Sequence, residues 1–146
     1  MKLNLLISDK YKIPKVTIET PILTDKVKTL IQCIEDLDQV NQLKGYQDDT
    51  ISLVPVKQII SIKTENKRVI AVTADGQYVI KSRLYTLESV LPSHFIRISK
   101  SEMINVKRLK KLAIEPNGLI KMYLHADYTT YSSRRYLKMI KERLAL

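Results

Sequence analysis

Phe95-Ile96-Arg97-Ile98-Ser99-Lys100-Ser101-Glu102-Met103-Ile104-Asn105-Val106-Lys107-Arg108-Leu109-Lys110-Lys111-Leu112 is the stretch on which the reading of this chain turns. Its apolar anchors, Phe95, Ile96, Ile98, Ile104, Leu109 and Leu112, are interleaved with six basic residues and several small polar ones. Phe95–Ile98 reads as a strand, and the following polar stretch reads as a loop held on a sheet and presenting donors. Lysine and arginine neutralise phosphates, and serine hydroxyls can donate to phosphate oxygens. The same pattern also fits an ordinary basic strand-loop-strand face.

Outward from this segment, the chain reads as short strands separated by turn chemistry. Downstream, Leu109–Ile114 and Leu119–Leu124 form a hairpin around Pro116-Asn117-Gly118, and Tyr128–Tyr131 is a last strand. Arg134–Leu144 then reads as a helix burying Leu137, Ile140 and Leu144, with Ser132 or Ser133 expected as its cap. Upstream, Leu84, Leu87 and Leu91 set a short helix stopped by Pro92. Tyr78–Ile80 and Arg68–Val72 are strands joined at Ala74-Asp75-Gly76-Gln77, where Asp-Gly readily takes positive φ. Ile59–Ile62 pairs with Arg68–Val72 across Thr64-Glu65-Asn66-Lys67. Ile51–Val54 is the first strand of this set. The polar Asn41–Thr50, with Gly45 and Asp48-Asp49, reads as a linker.

Before the linker, the alternation in Lys15-Val16-Thr17-Ile18-Glu19 predicts a strand. Thr24 reads as the N-cap of a helix from Asp25 to about Val40, with Val27, Leu30, Ile31, Ile34 and Leu37 at helical spacing. That stripe can pack on the chain's own sheet or pair with a second copy, because 27, 30, 34 and 37 also fit an a/d seam. Cys33, within this helix, is expected to be a packing residue. No internal repeat and no low-complexity segment interrupts the chain.

Charge divides the 146 residues at the linker. Residues 1–50 carry seven Lys/Arg and eight Asp/Glu, a net of −1, and residues 51–146 carry eighteen and seven, a net of +11. Charge segregated this way points to a polyanion such as DNA, RNA or an anionic membrane surface. Catalysis has little support: there is no P-loop, no dinucleotide fingerprint and no nucleophile elbow. One cysteine and the two separated histidines, His94 and His125, make neither a disulfide framework nor a zinc site. No enzyme activity, metal or cofactor is expected. Apolar runs fall well short of the ~20 residues of a membrane span, and a cytoplasmic location is expected.

Tyr131-Ser132-Ser133-Arg134-Arg135-Tyr136 is the second basic motif, placed where a strand hands over to a helix. Taken with Phe95, Arg97, Ser101, Ile104 and Asn105, its Ser133, Arg134 and Tyr136 resemble the LytTR family of bacterial DNA-binding domains. The leucine helix upstream fits as well. The resemblance covers about residues 46–146, and where the family frequently has histidine this sequence has Ser99. It implies a mainly β (α+β) fold, an array of antiparallel sheets with short helices, preceded here by a strand-helix extension over residues 1–45. It also implies a stand-alone, response-regulator-like transcription regulator without a receiver domain, so direct phosphorelay control within this chain is not expected. The partner implied is double-stranded DNA with repeated sites, bound by a homodimer through loops entering successive major grooves. Lys67, Lys100 and Arg135 would face bases. Arg97, Ser101, Asn105 and Arg134 match the motif, some of them serving the fold, and Asn105 is expected to fix its own loop. Lys107 and Arg108 complete the candidate DNA-binding set. A membrane-protein regulator is a partner by family analogy only. Two rivals differ in class: an RNA-binding module, which would show stacking aromatics on its sheet, and a protein-interaction module using the 25–40 helix.

Overall fold

The computed structural model describes residues 1–146. Thr24 caps the first helix, α1 (Asp25–Asp36), its hydroxyl accepting the Val27 N–H at 3.3 Å. The helix ends at Asp36, one turn short of the expected Val40; Leu37 is exposed and the chain is already turning toward the sheet. Of the apolar stripe only Val27 is buried, while Leu30, Ile31 and Ile34 stay half-exposed. Cys33 faces solvent and does not pack. Lys15–Glu19 is not a strand here: its backbone has no partner to pair with.

Ten strands follow. A seven-stranded antiparallel sheet has the order β2 (Thr50–Pro55), β1 (Gln42–Gln47), β5 (Gly76–Ile80), β4 (Arg68–Thr73), β3 (Ile59–Glu65), β7 (Glu102–Asn105) and β6 (Phe95–Ser99). A three-stranded sheet has the order β10 (Thr129–Tyr131), β9 (Ile120–Leu124), β8 (Leu109–Ile114). The stretch read as a linker is therefore a hairpin, with Leu43 opposite Val54 and Gly45 opposite Ser52. Its composition hid it, since Leu43 is the only aliphatic side chain of β1. Gly45 is needed for close approach: a Cβ there would sit 2.7 Å from Tyr78 Cβ and 2.7 Å from Val54 Cγ2.

The seven-stranded sheet is covered on both faces. On one side α2 (Leu84–Val90) and Leu91 contribute Leu84, Leu87 and Leu91 to a cluster with Ile59, Ile62, Ala71, Phe95 and Met103. On the other, Ile60, Ile96, Ile98 and Ile104 meet Ile120, Met122 and Leu124 of the three-stranded sheet and Ile140 of α3 (Leu137–Arg143). Leu137 and Leu144 only flank this second cluster. A strand buried on both faces loses its polar-apolar alternation. This is why β7, with all four residues buried, lies inside what reads as a loop.

The C-terminal helix is not capped by serine. Arg134–Tyr136 forms a 3₁₀ turn ahead of α3, and neither element has a side-chain cap. Ser132 Oγ instead accepts the Ile120 N–H at 3.1 Å, and Ser133 Oγ is buried without a partner.

Candidate nucleic-acid interface

Three turns meet at one end of the β3–β7–β6 strands. The β3–β4 turn is a two-residue hairpin in which Asn66 and Lys67 both have positive φ, 52° and 64°. Glycine is the favoured second residue of such a turn, and lysine there costs about 1–2 kcal/mol of backbone strain. β7 runs antiparallel to β3 with Glu102 opposite Lys63, so the β6–β7 turn lies beside the end of β3. The Thr64 N–H donates to the Ser101 carbonyl at 2.7 Å. The third segment is tied in by the Ser133 N–H, which donates to the Ile98 carbonyl at 2.8 Å and starts the Arg134-Arg135 turn beside the end of β6.

The side chains at this end divide into those spent on the fold and those left free. Arg97 is spent: its guanidinium donates to the carbonyls of Ser99 at 2.8 Å and Lys100 at 2.6 Å, and to Glu88 Oε2 at 2.8 Å. It clamps the turn from inside. Ser99 Oγ accepts the Ser101 N–H at 3.2 Å and lies 3.5 Å from Ser101 Oγ, so the residue replacing the family's frequent histidine also shapes the turn. Lys67, Lys100, Arg134 and Arg135 are exposed and have no protein hydrogen-bond partner for their side chains. Only Lys63 and Arg97, of the 25 Lys/Arg, lie within ion-pair distance of a carboxylate. The free cations at this end therefore keep their full charge toward a polyanion.

The remaining sequence-predicted residues lie elsewhere. Asn105 is buried; its Nδ2 donates to the Ile59 carbonyl at 2.9 Å and its Oδ1 accepts the Lys107 N–H at 3.0 Å. It fixes the turn after β7, as its residue type leads one to expect, and no group of it reaches the surface. Arg108 donates from Nε at 2.9 Å and Nη2 at 2.6 Å to the Lys57 carbonyl, which anchors it beside the turn after β7. Lys107 is exposed but sits with Asn105 and Arg108 at the far end of β7, a strand of about 13 Å. Lys67, Lys100, Ser101, Arg134 and Arg135 are thus brought together, and Asn105, Lys107 and Arg108 are not among them.

Sequence reasoning missed the group beneath the three turns. Glu102, buried at the start of β7, accepts hydroxyl hydrogen bonds from Ser61 Oγ at 2.5 Å, Tyr128 Oη at 2.7 Å and Thr130 Oγ1 at 2.5 Å. One carboxylate thus ties β3 and β7 to the three-stranded sheet. Burial, followed by the hydrogen bond to Glu102, pushes the Tyr128 phenol above its ordinary range, so it stays a donor. The available signal was the single acid between Ser101 and Met103 in an otherwise basic segment. On the three-stranded sheet, Lys111 and Lys121 lie 4.7 and 5.1 Å from the Tyr123 ring centroid. This ring is already flanked by the chain's own cations, unlike the open stacking platform an RNA-binding sheet offers.

An antiparallel sheet array whose turns offer unpaired cations at one end is a surface that attracts a polyanion. The chain belongs to the LytTr DNA-binding domain family, whose model matches residues 49–145. It is similar, at 48% identity over 146 residues, to an HTH-type transcriptional regulator of Staphylococcus aureus strain MSSA476, with 100% of this chain and 99% of the relative covered. A relative from strain COL is 47% identical over the same span. The LytTr DNA-binding domain of a Bacillus cereus response regulator superposes with a TM-score of 0.71 at 18% identity, covering 73% of this chain and 99% of that one. The expected mainly β fold is therefore the observed one. The S. aureus relatives are named as helix-turn-helix-type regulators, whereas the DNA-binding domain here is antiparallel β. No helix is long and apolar enough to cross a membrane.

Proposed function

We propose that this chain regulates transcription by reading double-stranded DNA sequence-specifically, as a homodimer on repeated sites. Lys67, Lys100 and Arg135 reach base edges in successive major grooves, while Ser101 and Arg134 contact the backbone beside them. The observation that carries this reading is the convergence of three turns, each presenting an unpaired cation, on one end of a rigid sheet. Arginine can pair bidentately with guanine O6 and N7, and lysine reaches the same acceptors. Lys107, at the other end of β7, adds at most a phosphate contact. Family membership supports DNA as the polyanion, and the cation-flanked Tyr123 ring weighs against a stacking surface for single-stranded RNA.

Electrophoretic mobility shift with selected and random duplexes across a salt series tests the proposal. Binding to the selected site should exceed random binding and weaken steeply with salt as counterions are released. Arg135→Ala should cost about 1–3 kcal/mol on the selected site and much less on random DNA. Equal affinity of the native chain for both duplexes at moderate salt overturns sequence-specific reading.

A further inference from the structure

Residues 1–24 are left without a role by the DNA-binding domain. Ten of the chain's seventeen exposed large hydrophobic residues fall in its first 23 positions, among them Leu3 at 96%, Leu5 at 82% and Ile7 at 86% exposure. Leu3, Leu5 and Ile7 would share one face of an extended strand, with Leu6 on the other, yet residues 1–7 make no backbone hydrogen bond within the chain. Lys15–Glu19 has a strand's alternation and the same lack of backbone partners. Beside it, Val16 and Ile18 line an open groove with Ile31 and Ile34 of α1. The protomer therefore holds two unpaired strand-like segments and one unfilled apolar groove on adjoining parts of its extension.

We propose that this extension is the contact surface between two copies of the chain. Residues 3–7 of one copy pair with residues 15–19 of the other and lay Leu3, Leu5 and Ile7 along its Val16–Ile18/α1 groove. The exchange is reciprocal, which is the self-complementary form a two-fold dimer requires. Area favours it. At about 60–120 Å² for each buried apolar side chain, the residues that the exchange covers on each copy, Leu3, Leu5 and Ile7 with Val16, Ile18, Ile31 and Ile34, offer roughly 400–800 Å², against about 800 Å² per partner in a stable interface. Charge favours it too: residues 1–50 carry a net of −1, so two copies can meet there without the repulsion that two +11 halves would generate. The relative described above spans all 146 residues, including this extension, whereas the family's DNA-binding domain model starts at residue 49. The surface deepens the homodimer part of the proposed function and does not involve the three DNA-facing turns.

The test is the mass in solution of the full-length chain without DNA. The native chain should be a dimer. The double variant Leu5→Asp/Ile7→Asp should be a monomer, each change weakening association about 10–100-fold. Its DNA-binding domain should stay folded, because both side chains are already exposed in the protomer, and its far-UV spectrum should differ from the native one by no more than the lost intermolecular strands. Two further full-length proteins, each in a Cys33→Ser background, carry Leu5→Cys and Val16→Cys. When mixed and oxidised, they should form a mixed disulfide-linked dimer. A dimer that persists in the double variant overturns this surface while leaving the homodimer reading intact. A monomeric native chain overturns both, and a monomer that co-floats with anionic vesicles assigns the apolar arm to a membrane surface instead. Binding of the double variant to a single DNA site reports separately on DNA reading and should stay at the native level.

Discussion

Replacing Glu102 tests whether one buried carboxylate holds the two sheets together. Glu102→Ala removes the acceptor for Ser61, Tyr128 and Thr130 at once. A hydrogen bond to a charged group contributes about 1.5–3 kcal/mol, which for three gives a gross loss of roughly 5–9. Two effects reduce it. The cost of desolvating the carboxylate disappears with it, and the half-buried Tyr128 and Thr130 can recover part of their loss to water, while Ser61 keeps a 3.3 Å contact to the Met103 carbonyl. The net expected is about 2–4 kcal/mol, or a fall in Tm of roughly 6–12 °C for a chain of this size. Glu102→Gln keeps one carbonyl oxygen but turns an NH₂ group toward hydroxyls that now donate, and should cost about 1–2 kcal/mol. Urea unfolding should show a lower midpoint with an unchanged slope. A double-mutant cycle with Thr130→Val should give a coupling of about 0.5–3 kcal/mol. The salt dependence of DNA binding should be unchanged, because Glu102 neutralises no phosphate. Glu102→Ala within about 0.5 kcal/mol of the native protein, or a cycle with zero coupling, refutes the reasoning.

Asn105→Ala should lower stability by about 2–3 kcal/mol, since it orphans the buried Ile59 carbonyl and the Lys107 N–H; urea unfolding measures this, and DNA affinity per folded molecule should be unchanged. Gly45→Ala should destabilise by roughly 1–3 kcal/mol through the contacts with Tyr78 and Val54, read as a lower Tm. Burial, followed by the charge of Lys107, lowers the pKa of His94 against a smaller opposite pull from Asp36. The folded state therefore resists protonation of His94 more than the unfolded chain does. Its contribution is complete above the ordinary value of 6.5 and is lost as the pH falls from there through the lowered folded value. Thermal melts should show native stability dropping across that window more steeply than in His94→Gln.

How far the sequence could be read depended on local turn chemistry and on whether a segment's neighbours lay on one face or two. The β3–β4 and β4–β5 hairpins were legible because Asn66-Lys67 and Asp75-Gly76 carry turn chemistry, although β3 is buried on both faces, Ile59 and Ile62 on one and Ile60 on the other. The leucine helix was legible because Leu84, Leu87 and Leu91 face one way. β7 was not: Met103 enters one core, Ile104 the other, and Glu102 and Asn105 are polar yet buried, so neither period nor composition marks a strand. β1 was hidden for a different reason. Its inward positions are Leu43 and Gly45, and glycine gives no apolar signal where close packing demands it. Lys15–Glu19 shows the converse, a strand pattern with no strand, because alternation states only that a segment could pair.

The basic residues pose a further problem that charge alone does not resolve. Arg97, Lys100, Arg108 and Arg135 are equivalent in charge, and only Arg97 of the four falls on a position of the family pattern. The structure sorts them by what their donors already hold. Arg97 is occupied by two carbonyls and Glu88, so a phosphate or base would have to displace partners already in place, whereas Arg108 is anchored only on the Lys57 carbonyl at the other end of β7. Lys100 has no such partner, yet its own backbone carbonyl is the one Arg97 holds at 2.6 Å. Arg97 therefore fixes the turn from within, and Lys100, whose carbonyl it holds, is left to reach outward. This division explains why a motif residue can be indispensable to binding without touching the ligand. Loss of Arg97 would release the Lys100 turn, whereas loss of Lys100 would leave that turn in place and remove only its charge.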